Sequence, residues 1–166
     1  MEELGELTAV ASLERPATMD YWDDLMGFSH EQIDIEIADA RRAYGMKLAI
    51  EELLSNIIRS NTEADHDQSS AQQITVQIIS SRSISQDGQS FVLQTKDGGR
   101  PFDPHFDQIS DQARTIPIHE RKPGGLGLFL IKTSVDEARY AHRDGLNTYW
   151  LILHNRHEEA PAKGEG

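Results

Sequence analysis

Residues 46–59, with the sequence MKLAIEELLSNIIR, decide the fold of this chain. The apolar side chains of this stretch recur at the spacing of one helix face, namely Met46, Ile50, Leu53, Leu54, Ile57 and Ile58. The pattern predicts an amphipathic helix over residues 42–59 whose apolar stripe packs on another layer of the protein. Glu52 and Asn56 are four residues apart, so they lie one above the other on a helix, on the side away from that stripe.

The segments around this helix alternate between strand and helix patterns. The predicted strands cover residues 4–13, 74–78, 91–95, 139–142 and 148–154. The predicted helices cover residues 17–27, 42–59 and 124–136. This order predicts one α+β domain over residues 4–155, a two-layer sandwich with helices on one face of a mixed, mainly antiparallel sheet. The irregular stretches 61–72 and 102–123 are predicted loops, and the polar stretch 156–166 is a predicted disordered tail.

The composition of the 166 residues narrows the class of function. The chain has no cysteine, which removes disulfides and thiolate chemistry, and its formal net charge of -12 disfavours nucleic acid as a partner. No apolar run approaches the roughly 18 residues of a membrane span, so we expect no membrane partner. The first ten residues carry three glutamates and no basic residue. Because this differs from a secretory signal or a basic transit peptide, we expect a cytoplasmic location.

Two further segments place small or acidic residues where predicted elements end or begin. Asp97 ends a strand and is followed by Gly98 and Gly99. Its carboxylate can accept a hydrogen bond from an exocyclic amino group while a flat ring lies against the glycines, as adenine would. Residues 124–127, GGLG, open a helix whose free N–H groups and dipole suit phosphate.

Each of these segments also has a simpler interpretation. Glu52 and Asn56 fit a solvated helix face, Asp97 fits an ordinary turn, and glycines before a helix fit a flexible connection. The chain contains neither the Walker A pattern nor a full dinucleotide-binding glycine fingerprint. Phosphate binding at residues 124–127 would therefore use another architecture.

The order of the three segments resembles the GHKL superfamily, which includes gyrase, Hsp90, histidine kinases and MutL. Within it, residues 49–59, AIEELLSNIIR, are similar to the N box of the anti-sigma regulatory serine kinases. Residues 97–104, DGGRPFDP, match that family's Asp-x-Gly-x-Pro-Phe-Asp-Pro signature, and residues 124–132 with 135–137 resemble its second glycine box. The resemblance spans about residues 4–155.

This resemblance implies bound ATP and Mg²⁺ and suggests a role for each residue. Glu52 would be the general base, Asn56 the magnesium ligand, and Asp97 the carboxylate that recognises adenine. Gly99 would lie under the ring and Thr148 near the adenine. The residues at the phosphates would be Gly125, Leu126 and Gly127.

The resemblance further implies a serine/threonine kinase and anti-sigma factor of a bacterial partner-switching system. Such a protein phosphorylates a STAS-domain antagonist and sequesters a sigma factor or a similar target, and we expect a homodimer. Two other hypotheses remain. One is a sequestering module that binds ATP without transferring phosphate, which the presence of Glu52 disfavours. The other is an ATPase in which Glu52 activates water, although related ATPases of that kind carry further transducer domains.

Overall fold

The computed structural model describes residues 4–64, 73–109 and 125–155. These ranges contain three α-helices, α1 (Trp22–Glu36), α2 (Ala40–Ala64) and α3 (Gly125–Ser134). They also contain five strands, β1 (Leu7–Pro16), β2 (Thr75–Ser85), β3 (Gly88–Asp97), β4 (Glu137–Arg143) and β5 (Leu146–Asn155). Short 3-10 turns occur at Met19–Tyr21 and Phe106–Gln108. The predicted α+β sandwich is confirmed.

The five strands form one sheet in the order β1-β2-β3-β5-β4. Every pairing between the described strands is antiparallel, where the sequence had suggested a mixed sheet. β3 lies in the centre, between β2 and β5. Its last residue, Asp97, is opposite Val76 on one side and Asn147 on the other. The register therefore brings the start of β5 beside the end of β3.

The apolar stripe of α2 packs on one face of this sheet. All six of its predicted apolar residues are 5% exposed or less. They belong to one hydrophobic cluster with alternate residues of the strands, including Ile78, Leu93 and Leu151. Burial of each such side chain stabilises the fold by about 1.5–3 kcal/mol. Glu52 and Asn56, on the other side of α2, are only half-buried.

The first helix runs further than its sequence pattern indicates. The predicted helix over residues 17–27 is instead α1, preceded by a 3-10 turn. Two polar residues, Ser29 and Gln32, are buried on the same side as Leu25 and Ile33, and they interrupt the apolar pattern. Ser29 donates its hydroxyl to the carbonyl of Leu25 at 2.8 Å, which makes its burial acceptable.

The second helix also extends past its predicted end. Residues 61–64, predicted as the start of a loop, continue α2. Residues 65–72 and 110–124, and the predicted tail 156–166, lie outside the described residues.

Two contacts join the beginning of α2 to the end of α3. A Cβ added at Gly45 would lie 2.9 Å from the carbonyl oxygen of Ser134, so the two helices approach closely there. Arg42 forms an ion pair with Asp136, just after α3, and donates to the carbonyl of His154 at 2.9 Å. The end of α3 is therefore anchored to both α2 and β5.

Within the described ranges, no helix combines the length and apolar character needed to cross a membrane.

Candidate nucleotide site

The residues singled out from the sequence converge where α2, the end of β3 and the start of α3 meet. A small cavity of about 20 Å³ lies there, and its lining includes Leu53, Asn56, Asp97, Leu128, Asn147 and Tyr149. This volume is close to the room that one water molecule needs. A nucleobase therefore enters only when neighbouring side chains move apart. The exposed side chains of Arg100 and Phe102 also line the cavity, and their displacement would widen it.

Asp97 is the buried acid of this cluster, with 4% of its surface exposed. Its Oδ1 accepts hydrogen bonds from the backbone N–H of Gly99 at 2.9 Å and from the side-chain amide of Asn147 at 3.2 Å. Its Oδ2 is buried and has no hydrogen-bond partner in the part of the chain that the structure describes. Burial raises the pKa of Asp97, although these two hydrogen bonds oppose the shift. A donor from a ligand would satisfy Oδ2, as an exocyclic amino group does.

Asn147 fixes the turn that follows Asp97. It is 2% exposed, and its amide nitrogen also donates to the carbonyls of Gly99 at 3.2 Å and Arg100 at 3.0 Å. Its Oδ1 accepts a hydrogen bond from the hydroxyl of Tyr140 at 2.7 Å. Asn147 thus links β4, β5 and the turn after β3. Sequence reasoning missed it, because its position opposite Asp97 follows only from the strand register.

The structure does not bring Thr148 into this cluster, which corrects its expected position near the adenine. Successive side chains of a strand point to opposite faces of the sheet. Asn147 and Tyr149 lie on the face of Asp97, so Thr148 lies on the other face, opposite Lys96. The residue beside Asp97 is the preceding one, Asn147, and not Thr148.

Two tyrosines hold the chain beyond the turn. The Tyr149 hydroxyl donates to the carbonyl of Phe102 at 2.9 Å, and the backbone N–H of Phe102 donates to the Tyr140 hydroxyl at 3.2 Å. Burial raises the pKa of both tyrosines. They therefore stay protonated at neutral pH and keep their capacity to donate.

Gly99 and Gly127 each stand where a side chain would collide with a residue of the cluster. A Cβ at Gly99 would lie under 3.0 Å from both Asn61 and Asp97. A Cβ at Gly127 would lie 2.5 Å from Oε2 of Glu52 and 4.0 Å from the amide nitrogen of Asn56. The start of α3 therefore faces Glu52 and Asn56 directly, and the roles of these two residues stay predictions. The position of Gly99 under a ring stays a prediction.

The other predicted phosphate contacts lie at the first turn of α3. Gly125 is its first residue, and Leu126 is 54% exposed. The first N–H groups of a helix have no acceptor within the helix, which suits an anion. Gly124 lies outside the described residues.

Asn56 is the candidate protein ligand for a metal ion at this cluster. Among the described residues, no group of three or more histidine, cysteine, aspartate or glutamate side chains could hold one. The side-chain amide of Asn56 offers one oxygen ligand at the edge of the cavity.

A comparison with known protein families finds a match for most of the chain. The family model for the histidine kinase-like ATPase domain matches residues 16–153. Among curated proteins, none matches the chain. The family match covers α1 to α3, β2 to β4 and nearly all of β5, including the cluster described above, and this kind of domain implies ATP binding. The chain therefore belongs to the family of histidine kinase-like ATPase domains.

Proposed function

We propose that the protein is an Mg-ATP-dependent serine/threonine kinase and anti-sigma factor of a partner-switching system. In this role it phosphorylates a STAS-domain antagonist and sequesters a sigma factor or a similar target. One observation supports the proposal above all others, namely that the Glu52 carboxylate faces Gly127 at the start of α3, with Asn56 beside it. A carboxylate next to a helix start that could bind phosphate is what transfer to a hydroxyl needs.

The residues present fit an adenine nucleotide. The unpartnered Oδ2 of Asp97 would accept a hydrogen bond from the amino group of adenine. Asn147 holds the other carboxylate oxygen, so the free oxygen keeps its direction. The exposed side chains of Arg100 and Phe102 would move aside to admit the base, while their backbone stays held by Asn147 and the two tyrosines.

The phosphates would then lie between α2 and α3. The free N–H groups at the first turn of α3 would bind them, at Gly125, Leu126 and Gly127. Asn56 would hold the magnesium ion, which when bound neutralises charge on the phosphates. In this arrangement Asn56 and the helix start bind and orient the nucleotide.

Glu52 would act as the base of the transfer. The hydroxyl oxygen of a serine or threonine on the antagonist forms a bond to the γ-phosphorus of ATP, and the bond to the bridging oxygen breaks, which releases ADP. The hydroxyl proton passes to the Glu52 carboxylate. Positioning and charge neutralisation supply most of the rate in such transfers, so one base is sufficient.

Intact-mass spectrometry tests the proposal directly. A candidate STAS-domain protein is incubated with this protein and Mg-ATP, beside the Glu52→Ala variant. Glu51→Ala serves as the matched control, because Glu51 is exposed and next to Glu52 on the same helix. We expect a phosphoryl adduct with the wild type and with Glu51→Ala, and none with Glu52→Ala. Binding of ATP without an adduct on any STAS candidate would favour the sequestering module instead.

Two further measurements address the remaining alternatives. Release of phosphate from ATP alone, at a rate that Glu52→Ala abolishes, would support the plain ATPase. Sedimentation equilibrium tests the predicted homodimer, for which a monomeric mass at micromolar concentration would be the contrary result.

A further inference from the structure

Asn61 is a buried polar residue for which the proposed mechanism has no use. It lies near the end of α2 and is 6% exposed. Its amide nitrogen Nδ2 is fully buried and finds no hydrogen-bond acceptor among the described residues. A buried donor without a partner destabilises the folded state, so its presence requires a reason.

Asn61 and Asp97 lie against the same point of the turn after β3. A Cβ built on Gly99 would lie under 3.0 Å from Oδ1 of Asn61 and also from Oδ1 of Asp97. The two side chains are therefore close neighbours. Each has one buried atom that lacks a partner in the described ranges, Nδ2 on Asn61 and Oδ2 on Asp97. One is a donor and the other an acceptor.

The chemical types of these two atoms, one donor and one acceptor, match the groups on one edge of adenine. The amino group of adenine is a donor, and the ring nitrogens N1 and N7 on either side of it are acceptors. Guanine presents a carbonyl acceptor where adenine has the amino group. A neighbouring donor and acceptor can therefore bind the adenine edge with two hydrogen bonds.

We propose that Asn61 is a second recognition residue for the nucleobase. In this arrangement Asp97 accepts a hydrogen bond from the amino group of adenine, and Nδ2 of Asn61 donates to a ring nitrogen beside that amino group. This inference rests on the proposed binding of ATP at the same cluster. Asn61 touches the base and takes no part in the transfer of phosphate. Its effect is on the affinity and on the choice of base.

A cycle of protein and ligand changes tests the contact. Isothermal titration calorimetry gives the Kd of ATP, 1-deaza-ATP and 7-deaza-ATP for the wild type, for Asn61→Ala and for Asn155→Ala. Each deaza analogue lacks one ring nitrogen and keeps the amino group. Asn155→Ala is the matched control, because Asn155 is an exposed asparagine at the far end of β5. Thermal unfolding of each variant shows whether it is folded.

We expect the wild type and Asn155→Ala to bind one of the two analogues about tenfold more weakly than ATP, the effect of about one hydrogen bond. Asn61→Ala should bind ATP and that analogue equally well, because the variant has already lost the donor that would pair with the ring nitrogen. If Asn61→Ala does not fold, Asn61→Ser, which keeps a small polar side chain, takes its place.

Two results would overturn the inference while ATP binding stands. Equal affinity of the wild type for ATP and both analogues would show that no ring nitrogen is read. An unchanged preference in a folded Asn61 variant would show that another group reads it, and a trapped water would then be the partner of Nδ2. Failure of the wild type to bind ATP at all would instead refute the proposed function, and this inference with it.

Discussion

Replacement of Gly127 by alanine should move the Glu52 carboxylate without destabilising the fold. The added Cβ would lie 2.5 Å from Oε2 of Glu52 and 3.3 Å from its Cδ. Ordinary contact needs about 3.5 Å, so the carboxylate must shift by about 1 Å. A displacement of this size costs on the order of 100-fold in a reaction that depends on positioning. We therefore expect Gly127→Ala to reduce phosphoryl transfer about 100-fold.

The stability of the same variant should change in the opposite direction. Gly127 lies in α3, where alanine is up to about 1 kcal/mol more favourable than glycine. The clash involves the end of a flexible side chain, so little strain offsets that gain. We expect Tm to stay the same or to rise by about 2–4 °C.

Single-turnover transfer to a STAS-domain substrate and thermal unfolding measure the two effects. Gly27→Ala is the matched control, because Gly27 lies in α1 and a Cβ there meets no atom within 4 Å. That variant should gain stability and keep its rate of transfer. A folded Gly127→Ala protein that transfers phosphate at the wild-type rate would refute the reasoning, since Glu52 would then need no fixed position against α3.

Four other substitutions test the rest of the site and the contacts that anchor α3. Asp97→Asn should weaken ATP binding at least about tenfold in calorimetry. Because burial raises the pKa of Asp97, the folded state disfavours the ionised form, so this variant should exceed the wild type in free energy of unfolding at pH 7. The excess should vanish below the unfolded-state pKa of about 3.9, and an excess that grows with acid would contradict this sign. Asn147→Ala should lower the free energy of unfolding in urea by about 1–3 kcal/mol and weaken ATP binding. Thr148→Ala, on the opposite face, should change stability by less than about 0.5 kcal/mol, and the reverse ranking would contradict the register of β5. Arg42→Ala should cost about 1 kcal/mol in the same titration, since its ion pair with Asp136 is partly exposed, and ATP affinity should stay within about twofold.

The fold could be predicted from the sequence because the longest periodic pattern of apolar residues belongs to the helix that packs on the sheet. The apolar period of residues 46–59 is strong, and all of its predicted positions are buried. The pattern was weaker in α1, where the buried polar residues Ser29 and Gln32 interrupt it. Local spacing carries no information about such residues, since their hydrogen bonds decide whether they can be buried.

Residues of the candidate site could be identified from the sequence only where they lie close together in one short segment. Glu52 and Asn56 share a helix turn, so their spacing indicates their proximity. Asn147 and Asn61 are distant from Asp97 in sequence and meet it through strand register and helix length. Thr148 shows the same limit, because a difference of one residue along a strand changes the face of the sheet.

Because α3 is held at its end by the close contact at Gly45, a small rotation about this contact would displace the beginning of the helix. The end of this helix rests on α2 at Gly45, and its beginning faces Glu52 through Gly127. Ser134 lies seven positions after Gly127, a distance of about 10 Å along the axis. A rotation of about 5° around the Gly45 contact would then move Gly127 by about 1 Å, the scale on which transfer rates change. Packing at Gly45 would thus change the rate of the proposed transfer without any contact with the reacting groups.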